Sequence, residues 1–210
     1  MPKFVLTQDG SFTAFNEQFS EHYHSISGAF EEALEKHVNA LKVEDGMHIL
    51  DFCFGLGYNS FVATINHKNL QIIGLENDLN ILTAISEIEA PKKLQKSFYT
   101  FAKIAEKQTI TDDNNNQISL RIGDAKNTVA LLNSNHFDRV FFDPFSPQKQ
   151  PEMWTVEIFT EIFRIMKKGA KLSTYSCAKI VRKNMEIAGF SIIDGPKIGR
   201  KSPATIATKK

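Results

Sequence analysis

Met47-His48-Ile49-Leu50-Asp51-Phe52-Cys53-Phe54-Gly55-Leu56-Gly57-Tyr58-Asn59 is the stretch whose reading decides the fold. Asp45-Gly46 makes a turn before it, and residues 47–52 read as a buried strand. Gly55 and Gly57 then let the backbone turn tightly and approach a ligand without a Cβ in the way. Ser60–Asn66 reads as the helix that follows. Strand, glycine turn and helix form the opening unit of a sheet that binds ligands at its carboxyl edge.

The same rhythm continues downstream. Leu70–Glu76 is a second strand, followed by a helix from about Asp78 to Ile88. Pro91 opens another helical stretch, with Leu94, Phe98, Phe101, Ile104 and Ala105 on one face. Asp112-Asp113-Asn114-Asn115-Asn116 reads as a hairpin tip between two short β-prone pieces. Ile118–Ile122 is a strand, Ala125–Leu132 a helix and Asp138–Phe142 a strand. Val156–Met166 is a helix that Lys168-Gly169 ends, and Ala170–Tyr175 is the next strand. Ala178–Ala188 is a helix closed by Gly189 in the C′ position. Phe190–Ile193 and Thr205–Thr208 are short strands joined by a Gly/Pro/Lys-rich loop, which predicts an antiparallel hairpin at one edge. Alternating strands and helices predict an α/β, mostly parallel sheet covered on both faces.

Upstream, the first thirty residues are polar and show no clear period. Phe30, Ala33, Leu34, His37, Val38 and Leu41 then recur at helical spacing, so the helix predicted over 28–41 has Ser27 as N-cap and Glu31 and Glu32 in its first turn. One domain over 1–210 is expected, with 1–45 as an N-terminal extension and helix and 46–210 as the core.

Composition excludes several classes. The 210 residues are 42% hydrophobic and include 17 Phe, which argues against a disordered chain. Two cysteines, Cys53 and Cys177, make neither a disulfide framework nor a zinc pair, and both read as small packing residues. No apolar run approaches the roughly 20 residues of a membrane helix, and the N-terminus lacks a signal peptide, so a cytoplasmic location without a membrane partner is expected. The formal charge of +1 conceals an asymmetry. Residues 151–210 hold 12 Lys and Arg against 5 Asp and Glu, whereas residues 1–150 hold 13 against 19. The basic third reads either as a polyanion-binding face or as solvated helix surface.

Ligand chemistry is sought where the strands end. The second strand ends in Glu76, an acid able to accept hydrogen bonds from ribose hydroxyls. The third leads to Gly123-Asp124-Ala125, and the fourth to Asp143-Pro144-Phe145-Ser146-Pro147. A dinucleotide fingerprint requires a third Gly or Ala where this chain has Ser60. Acids after three strands make a pyrophosphate a poor fit and a nucleoside carrying a cationic sulfonium a better one. Each acid taken alone also reads as a helix cap or a turn residue. The four loops in this order resemble the class I S-adenosylmethionine-dependent methyltransferases, Rossmann-like enzymes whose antiparallel terminal strand the C-terminal hairpin matches.

Asp143-Pro144-Phe145-Ser146 is similar to the Asp/Asn-Pro-Pro-aromatic loops of amino-group methyltransferases. There a carboxylate and a backbone carbonyl accept the two N–H bonds of an amine and aim its lone pair at the methyl, so Asp143 is the carboxylate and Pro144 the carbonyl. A wider resemblance covers nearly the whole chain. Asp9-Gly10-Ser11-Phe12-Thr13, Tyr23-His24-Ser25 with Gly28-Ala29, and above all Asp143-Pro144-Phe145-Ser146-Pro147-Gln148-Lys149-Gln150-Pro151-Glu152-Met153-Trp154-Thr155 resemble the methyltransferase component of the MnmC family of tRNA 5-aminomethyl-2-thiouridine methyltransferases. Thr174-Tyr175-Ser176, Val181-Arg182, Ala188-Gly189-Phe190 and Gly199-Arg200-Lys201 continue the likeness. The glycine loop departs from the family's usual Gly-Phe-Gly-Thr-Gly-Leu-Asn, keeping the two central glycines and Asn59.

The resemblance implies S-adenosylmethionine as cofactor, a tRNA wobble uridine as partner, no metal, and no flavin oxidase domain. The implied step converts an aminomethyl to a methylaminomethyl group. Gly55, Gly57 and Asn59 would line the methionine side of the cofactor, Glu76 the ribose, Asp124 and Ala125 the adenine, with Ser25 closing over it. Asp143 would face the methyl and the acceptor amine, beside Pro144 and Phe145. Lys201 would lie near the substrate, with Arg182 and Lys183 at phosphates. Trp154 and Met153 would pack beside the catalytic loop rather than stack on a base. Two alternatives stand: a methyltransferase of the same fold acting on a small-molecule or protein amine, and a non-catalytic nucleoside- or RNA-binding module.

Overall fold

A computed structural model of the chain describes residues 2–90, 92–198 and 201–210. Pro91, Gly199 and Arg200, three positions named above, lie outside them. An N-terminal antiparallel meander comes first, made of β1 (Lys3–Leu6), β2 (Phe12–Asn16) and β3 (Glu21–His22). Helix α1 (Ala29–Glu32) runs directly into a π-helical segment, Ala33–Asn39. The remaining strands are β4 (His48–Phe52), β5 (Gln71–Glu76), β6 (Thr109–Thr111), β7 (Gln117–Ile122), β8 (Phe137–Phe142), β9 (Met166–Thr174), β10 (Phe190–Asp194) and β11 (Thr205–Lys209). Between them lie α2 (Tyr58–Asn66), α3 (Leu79–Ala84), α4 (Gln95–Ala102), α5 (Ile104–Lys107), α6 (Ala125–Thr128), α7 (Val156–Ile165) and α8 (Lys179–Ile187).

The large sheet has the order β10-β11-β9-β8-β4-β5-β7-β6. β9, β8, β4, β5 and β7 are mutually parallel, β6 runs antiparallel at one edge, and at the other β11 runs antiparallel between β9 and the edge strand β10. The expected parallel sheet, the 112–116 hairpin tip and the C-terminal hairpin are all present. From β4 the chain builds outward through β5 and β7, then returns to β8 on β4's other side. The order therefore reverses between β4 and β8, and there the strand ends diverge to leave a crevice. Central strands carry near-continuous apolar runs because both faces are covered. One face packs Phe54, Phe61, Phe98 and Phe101, and the other packs Phe142, Trp154, Phe159 and Ile162.

Four local expectations are corrected. Ser27 does not cap the first helix, because its hydroxyl pairs with that of Ser25. The free N–H groups are met instead by the preceding segment: Ala29 donates to Ser11 Oγ and Glu31 to Asp9 Oδ2. Residues 28–41 are not a plain α-helix, since Ala33–Asn39 is π-helical. Lys168-Gly169 does not end a helix but lies inside β9, where the pairing with β8 shifts register and Gly169 takes φ 79°. A bulge of this kind favours glycine because an L side chain is strained at positive φ. Finally, the first thirty residues contain the three strands of the meander, whose half-exposed faces blur the period-2 signal.

Candidate functional site

The carboxyl ends of β4, β5, β7 and β8 surround a cavity of about 700 Å³. That size suits a nucleoside-scale ligand. Backbone bonds lace the four loops together. Phe54 N–H donates to Leu75 O, Gly123 N–H to Glu76 O, and Asp143 N–H to Phe52 O. The loops thus form a rigid rim rather than independent flaps.

Glu76, at the end of β5, is a fixed anchor. Its Oε2 accepts the Gly55 N–H at 2.7 Å, and its Oε1 accepts the N–H groups of Asn77 and Asp78 at 2.8 and 2.9 Å. A carboxylate offers about four lone-pair sites, so about one remains for a ligand hydroxyl. Burial raises the pKa of Glu76, against the pull of those three N–H donors. Behind the rim, Asp51 accepts a 2.6 Å bond from Ser60 while its other oxygen has no partner, and burial pushes it up to about 8.

Asp143 follows β8 and faces the cavity. Asn59 Nδ2, in the first turn of α2, donates to its Oδ2 at 3.2 Å. The same oxygen lies 3.8 Å from His37 Nε2, a buried nitrogen with no hydrogen-bond partner. Burial, and next the negative charge of Glu32, push Asp143 up to about 6. Burial likewise holds His37 down at about 4. At neutral pH the pair is a carboxylate beside a neutral imidazole. Pro144 presents its carbonyl, which accepts a bond from the Tyr175 hydroxyl at 3.0 Å. Trp154 is buried and donates its indole N–H to Phe145 O at 2.8 Å, a packing role for the loop behind Asp143.

The N-terminal meander closes the cavity from above. Phe19 stacks on Phe145 with ring centroids 4.6 Å apart, and Tyr23 meets the same ring edge-on at 4.9 Å. Glu21 accepts bonds from both the backbone N–H and the hydroxyl of Ser146. Tyr23 donates to Asp78 at 3.1 Å. Phe19, Glu21, Glu32, Lys36, His37 and Tyr175 were not singled out in the sequence as site residues. The one available signal was the Glu32/Lys36/His37 cluster on a single helical turn.

The other expected residues distribute unevenly. Ser25, Gly55, Glu76, Ala125, Asp143, Pro144 and Phe145 line the cavity. Gly57 and Asn59 stand behind the wall: Gly57, at φ 75°, packs against the rings of Phe54 and Phe101, where a Cβ would lie 2.7 Å from each. Asp124 caps α6 through the Lys126 N–H, beside rather than in the lining. Arg182 turns inward, donating to Thr205 Oγ1 and Ala204 O and pairing with Asp194. Lys183 and Lys201 are exposed. Cys53 lies on the cavity wall, and burial pushes its thiol well above the ordinary value. Among the described residues no group of three or more His, Cys, Asp or Glu is arranged to hold a metal ion, and no helix is long and apolar enough to cross a membrane.

Comparison with known proteins adds to this geometry. Residues 86–210 match the model of a family described as S-adenosyl-L-methionine-dependent methyltransferase. An uncharacterised protein of Methanocaldococcus jannaschii is 31% identical over 98% of this chain and 59% of its own length. The tRNA 5-methylaminomethyl-2-thiouridine biosynthesis bifunctional protein MnmC of Campylobacter hominis is 32% identical over 89% of this chain and 30% of its own length. The chain therefore spans under two thirds of either relative. The crystal structure of MnmC2 from Aquifex aeolicus superposes with a TM-score of 0.83 at 28% identity, covering 100% of this chain and 71% of that one. Spermidine synthase from Thermotoga maritima shares the fold, with a TM-score of 0.64 at 14% identity.

Proposed function

Because the chain belongs to the S-adenosyl-L-methionine-dependent methyltransferase family, we propose that it methylates the nitrogen of a 5-aminomethyl group on the wobble uridine of tRNA, in the cytoplasm. The observation that carries this reading is Asp143, a buried carboxylate at the cavity, fixed by Asn59 and followed by the Pro144 carbonyl. The likeness to MnmC proteins supports the choice of acceptor.

The chain's own residues fit the cofactor. The Glu76 carboxylate, with three sites filled by backbone N–H groups, has one to give a ribose hydroxyl. Gly123 and Ala125 leave room for a flat base beside them, with Asp124 at the start of α6. Gly55 brings backbone against the ligand, and Ser25 closes from the meander side. When bound, S-adenosylmethionine supplies an electrophilic methyl on a sulfonium.

The protein's part in transfer is orientation. The amine reacts as its neutral form, so it has two N–H bonds to place and one lone pair to aim. Asp143 accepts one N–H. The Pro144 carbonyl, with one lone pair taken by Tyr175, accepts the other on its second. Holding both leaves the lone pair facing the methyl, and such positioning accounts for much of the rate gain in reactions of this kind. The product is a secondary ammonium, whose proton leaves to solvent. In this reading residues 1–45 work with 46–210 as one catalytic unit, since Phe19, Glu21 and Tyr23 roof the reacting loop.

The test is incubation with labelled cofactor and tRNA from a strain lacking this methylation, followed by nucleoside mass analysis. Label in methylaminomethyl-uridine is the expected result. Label appearing only in a small-molecule or protein amine would replace this acceptor, and no transfer to any amine would overturn the reading.

A further inference from the structure

Lys36 is an unusual residue for the place it occupies. It is 3% exposed, lies in the π-helical segment Ala33–Asn39, and lines the cavity. It is the only Lys or Arg among the described lining residues, against five carboxylates: Glu21, Glu32, Glu76, Asp78 and Asp143. Its ammonium bonds to Glu32 Oε1, one turn back. Glu32 in turn accepts the Ser25 N–H at 2.9 Å. A lysine carries three donors, and Glu32 is the partner that Lys36 meets among the described residues. Buried ion pairs are seldom worth more than apolar side chains of the same shape. A pair retained at a cavity wall therefore points to use by a ligand. The π-turn, a rare device common at functional sites, brings Lys36 to the wall directly beside His37. His37 in turn reaches the group that faces the transferring methyl, Asp143.

The ligand's charges complete the argument. S-adenosylmethionine carries a sulfonium, an ammonium and a carboxylate. The five acids suit the first two and repel the third. We propose that Lys36, held in place by Glu32, receives the carboxylate of the methionine moiety and so makes the enzyme select S-adenosylmethionine over its decarboxylated form. The sulfonium is separated from that carboxylate by a short aliphatic chain, which matches a cation set next to His37 rather than on the rim. Glu32 also holds the Lys36 side chain in place at the cavity wall. This inference rests on the family's cofactor and not on the identity of the methyl acceptor. A failure of tRNA methylation leaves it standing.

The experiment is calorimetric titration of the full chain with S-adenosylmethionine and with decarboxylated S-adenosylmethionine. In an acidic cavity the decarboxylated ligand, with its greater positive charge, binds more tightly unless a cation meets the carboxylate. The wild-type protein is expected to prefer S-adenosylmethionine by roughly tenfold or more, the worth of a charge-assisted hydrogen bond. Lys36→Met should weaken S-adenosylmethionine binding by roughly ten- to a hundredfold and leave the decarboxylated ligand within about threefold. Since Lys36→Met strands Glu32 without its cation, the charge-neutral pair Glu32→Gln with Lys36→Met serves if the single variant fails to fold. Equal affinity of the wild-type protein for the two ligands would overturn the proposal without any variant. So would a parallel loss of both ligands, which would make Lys36 a purely structural partner of Glu32, or no loss of either.

Discussion

His37 Nε2 points at Asp143 Oδ2 across 3.8 Å, while the other ring nitrogen, Nδ1, is bonded to Ser173 Oγ at 2.8 Å. The two residues are 106 positions apart in sequence. His37 is neutral because burial holds it at about 4. Were the Ser173 hydroxyl to donate to Nδ1, the ring proton would sit on Nε2, the nitrogen that faces the carboxylate. In the proposed reaction a neutral imidazole at this place would orient Asp143 without taking the proton of the amine.

Paired substitutions at His37 separate this positioning from simple packing. His37→Gln keeps an N–H near the Nε2 position, and His37→Asn keeps only the Nδ1 side. The asparagine variant should lose about tenfold in kcat, near 1.4 kcal/mol of barrier, with KM for the cofactor little changed. The glutamine variant should recover most of it. Equal loss in both would mean that the ring only fills space.

Asp143→Ala should cut kcat by roughly a hundredfold or more, because orientation of the amine is lost. Cofactor binding should remain measurable by calorimetry. Turnover near the wild-type rate would remove Asp143 from its assigned role.

Cofactor affinity should depend on pH in a direction that the charges fix. Burial, and next the charge of Glu32, raise Asp143 to about 6, with His24, Lys36 and His37 also around it. A bound cation favours the carboxylate, so binding releases a proton near and below pH 6. Affinity should therefore rise with pH up to about 6 and level off above it. Glu76, also raised by burial, adds to the effect with the same sign. Titration in buffers of different ionisation enthalpy reads the proton released. Proton uptake on binding would contradict the assignment.

Asp51 predicts a pH dependence of stability with the opposite slope. Its folded pKa of about 8 lies above its ordinary value of 3.8. The folded state holds this proton more tightly than the unfolded one, so stability falls as pH rises from about 4 to about 8. Asp51→Asn should match wild type near pH 4, be the more stable of the two at neutral pH, and flatten that slope. Denaturant midpoints across the range give the measurement, and an unchanged slope would exclude Asp51 as its source.

The two C-terminal cations should separate by function. Arg182 ties α8 to the start of β11 and to Asp194. Its replacement by Ala should cost about 1–3 kcal/mol of stability by stranding those acceptors. Lys201→Ala, at an exposed position, should leave stability unchanged. It should weaken tRNA binding and lower the salt slope by about one. Unaltered affinity at several salt concentrations would remove Lys201 from the tRNA-contacting surface.

What was legible in the sequence was legible because it is local. The strand–glycine–helix unit at 47–66, the acids closing β5 and β8, and the turn residues of the C-terminal hairpin each announce themselves within a few residues. From them follow the parallel sheet, its carboxyl edge and Asp143 at the crevice. Tertiary structure alone decided what surrounds Asp143. Glu21 reaches Ser146 across 125 positions, and Tyr23 reaches Asp78 across 55. Such pairs obey no periodicity, because they are selected by where the strand ends converge and not by spacing along the chain. The same reason set Arg182 against Thr205, Ala204 and Asp194 and put Lys36 in the cavity wall. A side chain's charge is written in the sequence, but the partner that meets it is chosen by the fold.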